Sequence, residues 1–414
     1  MSRRPVRTRL DPVARGRSPG FGGTVDHRRR AMGARLRSIL FWSHLIVGLG
    51  VGTFVLIMSA TGVVLTYERQ IAEWAEQRED VAVAESAALL SLDQLIAQSL
   101  ERYPEEDHIF IRVVNRQGAA IPVWAGPNGN LIHPVTGDVL RAGRGAVGEF
   151  FDFVTRLHRW LAVEGKRYDA ARAVMNYCNL LFLFLIVSGI YLWLPRLWRW
   201  SVLRSQMLLN RRAVSSKARD YNWHHVFGFW ALPPLLFIAL SATVLYFPWA
   251  VSALYGAYGE SAPAGQERGA HDHGAIIGKT SYASMLATAV EHAHANGARD
   301  WYSIWVETGS GPDQAEFYID RSIGNRPQLA YELKMNINSG RIIEVKRHND
   351  WSPADQAWDL ARFGHTGEWW GVAGQTIAGL ASLAACILVY TGMALAWRRL
   401  VGPRLRRAEK TARG

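Results

Sequence analysis

Four stretches of this chain, residues 38–67, 173–195, 226–259 and 369–397, contain no Asp, Glu, Lys or Arg. Each runs for about 20 residues or more, the length a helix needs to cross a bilayer. The sequence therefore predicts a mainly α-helical membrane protein built on four transmembrane helices. Its mean hydropathy of −0.03 hides this pattern by averaging the runs with polar segments. The two cysteines, Cys178 and Cys386, lie inside apolar runs, which excludes a disulfide scaffold and a Cys-rich metal centre.

The net charge of +12 is unevenly placed. Residues 1–37, 196–220 and 398–414 hold 25 of the 47 Lys and Arg but only 4 of the 35 acidic residues. With four spans these three segments share one side, and their basic excess assigns that side to the cytoplasm. The expected order is a basic N-terminal segment (1–37), a first span (38–67), an exterior segment (68–172) and a second span (173–195). A basic loop (196–225), a third span (226–250), a second exterior segment (251–368), a fourth span (369–397) and a basic tail (398–414) follow. Topology and anionic lipid account for the arginines without a nucleic-acid partner. The first span is too long for a signal-peptide core, and no small-residue cleavage site precedes Tyr67-Glu68-Arg69, so it is expected to remain as an anchor.

The chain reads as two copies of one unit: span, exterior segment, span. Each exterior segment opens with a helical pattern, from Leu92 and from Tyr282, and continues into strand-like alternation at Ile109–Val114 and Tyr302–Val306. Each then reaches a similar hairpin, Val135-Thr136-Gly137-Asp138 and Asn338-Ser339-Gly340-Arg341. Gly126–Asn130 and Gly309–Asp313 read as hairpin loops, and Ser261–Gly278 as a flexible linker. Two small exterior α/β modules are expected.

Five of the 13 histidines sit at span boundaries. His44 lies just inside the first span and His224 and His225 open the third, all at the cytoplasmic end. His158 and His365 precede the second and fourth spans on the exterior side. Imidazoles at membrane depth usually point into the bundle and have partners. Two that face each other across a bundle can supply both axial ligands of a haem, leaving a six-coordinate iron suited to electron transfer. With no Cys-x-x-Cys-His in the chain, such a haem is held non-covalently, as b-type. The expected sets are His44 with His224 near the cytoplasm and His158 with His365 near the exterior. Adjacent helical residues diverge by about 100°, so only one of His224 and His225 points inward. Gly48 and Gly228, each four residues after a histidine, would leave room for a flat macrocycle, although taken alone such glycines more often serve close helix packing. Arg159 and Arg362 are candidates to pair with propionates. His271-x-His273 and His292-x-His294 carry a weaker metal signal, more often that of solvated residues.

No dinucleotide fingerprint follows a strand and there is no Walker loop. An electron donor would be a cytoplasmic protein, a flavin or a quinol. No span contains a charged relay, which argues against an ion-driven transporter.

Several motifs resemble the PepSY-associated transmembrane helix family, which includes inner-membrane ferric-siderophore reductases and iron-regulated membrane proteins. They are Leu157-His158-Arg159, Asn222-Trp223-His224-His225-Val226-Phe227-Gly228, Tyr246-Phe247-Pro248-Trp249, His365-Thr366-Gly367-Glu368, and the closing Tyr390-Thr391-Gly392 to Arg399. The resemblance implies PepSY-like exterior modules in the periplasm and a bacterial inner-membrane location. It also implies two b-type haems and electron transfer to ferric iron held by a siderophore. His44, His158, His224 and His365 fall at the family's bundle histidines, and relatives often carry asparagine at the position of His225. Ser241-Ala242-Thr243-Val244 departs from the usual Thr-Gly of the third span. The leading expectation is thus a di-haem membrane oxidoreductase; an iron or siderophore permease and a non-catalytic PepSY-type regulator are the alternatives.

Overall fold

The computed structural model describes residues 23–404 apart from 85, 107, 126–127, 196–197 and 264–274. The histidine pair His271 and His273, most of the Ser261–Gly278 linker, and much of both basic termini lie outside the described residues.

The elements run twice through one order. The first half comprises α1 (Gly23–Leu65), α2 (Glu68–Gln77), α3 (Leu92–Arg102), β1 (Ile109–Val114), β2 (Ile121–Ala125), β3 (Asn128–Ile132), β4 (Val139–Ala142), α4 (Gly145–Trp160) and α5 (Tyr168–Trp193). A short α6 (Trp200–Met207) leads into the second half. There α7 (Ser216–Trp230) and α8 (Leu232–Tyr246) stand where α1 does, followed by α9 (Pro248–Ala257) and α10 (Tyr282–Ala295). Strands β5 (Ser303–Gly311), β6 (Gln314–Asp320), β7 (Ala330–Asn336) and β8 (Ile342–Arg347) precede α11 (Pro353–His365) and α12 (Gly371–Leu400). The protein is mainly helical, and among the described residues three helices are long and apolar enough to cross a membrane, or four if one bent pair is a single span.

That bent pair corrects the expectation of a continuous third span over 226–250. Helix α7 starts at Ser216, inside the expected loop, and meets α8 at an angle of 65°. The cause is local. Pro233 and Pro234 have no N–H to give to Phe229 and Trp230, so the helical ladder lapses and the axis turns at Ala231.

The segments expected outside the membrane form one sheet rather than two modules. Its order is β4-β3-β2-β1-β5-β6-β7-β8, antiparallel throughout, and the two halves join where β1 pairs with β5, Ile111 opposite Val306. Alternation decides its faces. Ile109, Ile111, Ile304, Val306, Phe317, Ile319, Leu333 and Met335 have no exposed surface and pack with Leu95 and Ile96 of α3 and with Met285 and Ala289 of α10. The opposite face carries Arg112, which reaches Glu73 (2.7 Å) and Glu76 (3.1 Å) on α2, and the stacked indoles of Trp124 and Trp305. The hairpin turns at Gly137 and Gly340 use positive φ, +80° and +68°. Asn128–Asn130, expected in a loop, is strand instead, with Asn128 paired with Ala125. Likewise β5 extends to Gly311, which pairs with Gln314.

Glu368 ties the sheet to the bundle. It accepts from Arg69 (3.2 Å), from Asn325 in the loop after β6 (2.9 Å) and from Thr366 (2.7 Å). The corner between α11 and α12 is thereby fixed beneath the sheet. Inside the bundle Asn179 of α5 donates to Ala239 O (3.0 Å) and Thr243 Oγ1 (3.1 Å) of α8.

Candidate functional site

Four of the five boundary histidines are each held through Nδ1 by a hydroxyl on another helix. His44 on α1 meets Ser188 Oγ of α5 at 2.8 Å, and His224 on α7 meets Thr391 Oγ1 of α12 at 3.0 Å. His158 on α4 meets Thr61 Oγ1 of α1 at 2.8 Å, and His365 on α11 meets Ser241 Oγ of α8 at 3.0 Å. The two halves use one scheme. A histidine on the first span is anchored by the second, and a histidine on the helix before the second span is anchored by the first. The same interval separates His44 from Thr61 and His224 from Ser241.

The hydroxyl geometry fixes where the proton sits. Each hydroxyl also points at a carbonyl of its own helix: Ser188 at Phe184 O (2.7 Å), Thr391 at Ile387 O (2.7 Å), Thr61 at Ile57 O (2.6 Å) and Ser241 at Ile238 O (2.9 Å). A hydroxyl has one proton, and a carbonyl can only accept it. Toward the imidazole the hydroxyl is therefore an acceptor, and Nδ1 carries the ring's N–H. His365 Nδ1 also lies 3.1 Å from Ile238 O, which again requires a proton on that nitrogen. The neutral ring is left with its lone pair on Nε2, and none of the four Nε2 atoms hydrogen-bonds a described residue. A metal-ligating imidazole has this arrangement: the outer nitrogen donates to a neighbour and the other is free to coordinate.

His225 differs. Its Nδ1 donates to Tyr221 O (2.9 Å) of its own helix, and its ring lies against the Tyr221 ring with centroids 4.1 Å apart. His224 alone of the two shares the cross-helix arrangement.

The glycines beside the rings are not those singled out by spacing. A Cβ on Gly48 or Gly228 would meet Leu185 (3.9 Å) or Leu388 (3.7 Å), so these positions serve contact between helices. Gly189, Gly392 and Gly62 are the ones that approach imidazoles: an added Cβ would lie 3.6, 3.4 and 3.9 Å from Cε1 of His44, His224 and His158. Each directly follows its hydroxyl residue. In the fourth case Ala242 follows Ser241. The missed signal was thus a Ser or Thr followed by a small residue within every span.

His158 and His365 open on one cavity of about 970 Å³, at the upper end of the size usual for cofactor and ligand sites. Trp124 and Trp305 of the sheet close its far side. Most arginines in its wall are matched: Arg69 by Glu368, Arg112 by Glu73 and Glu76, Arg141 by Glu79, and Arg144 by Asp152. Arg159, Arg172 and Arg362 also line it, and among the described residues none of them pairs with a carboxylate. Burial holds the Arg362 guanidinium below its usual range, with Glu368 pulling the other way. Three uncompensated cations beside two imidazoles suit a ligand with carboxylates.

The histidine levels are well separated. From His44 to Thr61 the straight helix α1 rises about 25 Å, close to the ~30 Å of a hydrocarbon core. Elsewhere, His292 contacts the Tyr331 hydroxyl (3.2 Å), and among the described residues no group of three His, Cys, Asp or Glu could hold a bare metal ion.

The family model of the PepSY-associated TM region matches residues 41–399. The chain belongs to this family. The match encloses all four histidines and all four hydroxyls, so the doubled arrangement lies wholly within the PepSY-associated region. No curated protein matches the chain.

Proposed function

We propose that this PepSY-associated membrane protein binds two b-type haems and conducts electrons across a bacterial inner membrane to ferric iron held by a siderophore. His44 and His224 would hold one haem at the end of the bundle away from the sheet, His158 and His365 the other beneath the sheet. The observation that carries this reading is the proton placement: four helices each deliver a neutral imidazole with its Nε2 lone pair unclaimed. A haem held between two of these imidazoles would supply a one-electron carrier.

The chain's own groups do the rest. Hydroxyls of the neighbouring spans orient the rings, and Arg159, Arg172 and Arg362 place positive charge where carboxylates of a bound group would lie. The sheet roofs the cavity with Trp124 and Trp305. The basic excess of the segments away from the sheet supports a periplasmic sheet and cytoplasmic termini. Reduction suits the chemistry of release, because hard oxygen donors hold Fe(III) far more tightly than Fe(II). One electron frees the metal and spares the chelator.

Anaerobic stopped-flow reoxidation of the reduced protein tests this directly. Ferric siderophores are expected to reoxidise it, with Fe(II) appearing in a ferrous-specific indicator. Protein that stays reduced before every ferric chelate and yields only to quinones contradicts the assigned acceptor.

A further inference from the structure

We infer that Thr61, Ser188, Ser241 and Thr391 are positioning residues that set the redox potentials of the two sites. The inference rests on the two-haem reading and deepens it. Each hydroxyl is a neutral acceptor whose own proton is committed to a carbonyl of its own helix, between 2.6 and 2.9 Å away. It cannot turn to donate without abandoning that bond. The proton on Nδ1 is thereby locked, and the ring plane is tied to a second helix rather than to the histidine's own backbone.

An acceptor at Nδ1 pushes electron density through the ring toward Nε2 and makes that nitrogen a stronger donor to a metal. A stronger donor favours the oxidised metal and lowers the potential. A hydroxyl does so more weakly than a carboxylate, since charge-assisted bonds are roughly twice as strong as neutral ones. The four hydroxyls therefore hold both sites above the potential that carboxylate partners would give and below that of unpartnered rings.

The structure also ranks the four. Ser188 is the one acceptor of its imidazole among the described residues, whereas His158 and His224 also meet backbone carbonyls, of Met58 and Leu388. Ser241 shares His365 with Ile238 O, at 3.0 and 3.1 Å. Removing the hydroxyl of Ser241, Thr61 or Thr391 leaves the ring a carbonyl partner, whereas removing Ser188 Oγ leaves the His44 Nδ1–H without one among the described residues. Ser188 and Thr391 act on the His44–His224 site, Thr61 and Ser241 on the His158–His365 site.

The test is a spectroelectrochemical titration of the purified full chain, wild type against Thr61→Val, Ser188→Ala, Thr391→Val and Ser241→Ala. The isosteric Thr→Val changes keep packing, and haem content together with monodispersity reports folding. Thr391→Val and Ser188→Ala are expected to raise one midpoint potential and leave the other in place. Thr61→Val and Ser241→Ala are expected to raise the other, and Ser188→Ala to give the largest shift of the four. A shift of about 59 mV corresponds to tenfold in a one-electron equilibrium. Thr61→Ser and Thr391→Ser restore the acceptor and are expected to return wild-type potentials. Wild-type protein that binds no haem defeats the two-haem reading itself. Two haems whose potentials stay unmoved in all four variants, or move no further for Ser188→Ala than for the other three, overturn this inference and leave that reading standing.

Discussion

Arg398 Nη1 lies 2.6 Å from Asp220 Oδ2, and Asp220 has no exposed surface. This pair joins α12 to α7 about two turns from the contact of Thr391 with His224. Arg219, on the same helix as Asp220, reaches its other oxygen at 2.9 Å. Buried charge is tolerable here because it is matched on both oxygens.

Arg398→Ala removes one cation and leaves a buried carboxylate half-matched. Breaking a buried pair in this way costs about 3 kcal/mol or more. Asp220→Asn leaves two arginines whose side chains are partly exposed and can be solvated. Thermal denaturation in detergent is expected to show a larger loss for Arg398→Ala than for Asp220→Asn. Equal losses would remove the argument that burial of the carboxylate is the dominant cost.

Asp320 sits at the end of β6 with 1% exposure, and burial raises its carboxyl above the ordinary value of 3.8 despite bonds from Ser322. An acid raised on folding binds its proton more tightly in the native state. Its contribution to stability is present below 3.8 and is lost as pH climbs through the native value. Asp320→Asn keeps an oxygen for the Ser322 donors and has no charge to bury. The variant is expected to gain on wild type in melting temperature between pH 4 and pH 7. A difference that stays flat across that window contradicts the assignment.

Gly392 separates two kinds of small residue. A Cβ there would stand 3.4 Å from His224 Cε1, so Gly392→Val pushes branched carbons into the ring's space. Loss of roughly half the haem absorbance is expected, one of the two sites. Gly48→Ala meets only Leu185 at 3.9 Å, an ordinary contact, and full haem content is expected. The reverse ranking would return Gly48 to the site.

Much of this architecture was legible in the sequence because membrane burial is written as absence of charge. The runs over 38–67, 173–195 and 369–397 correspond to α1, α5 and α12, and the strand from Ile109 to Val114 is β1 with those same ends. The third span was misread because a charge-free run does not reveal a bend; Pro233-Pro234 does, and hydropathy alone passes over it. The single sheet was hidden because edge-to-edge pairing of β1 with β5 leaves no mark on either strand's alternation. At the site, histidines at boundaries stood out by residue type. Their hydroxyl partners did not, since a Ser or Thr in a span usually just bonds its own helix. Here they do both. The distinction between His224 and His225 depended on which ring reaches another helix, which only three dimensions supply.

Haem quantitation on the purified chain, by the reduced-minus-oxidised absorption spectrum, bears most directly on the claim that four imidazoles with free Nε2 atoms form two haem sites. Two haems per chain are expected in the wild type. His44→Ala, His158→Ala, His224→Ala and His365→Ala are each expected to lose about one of them, while His225→Ala retains both. Well-folded wild-type protein without haem, or His225→Ala losing a haem that His224→Ala keeps, would contradict the account.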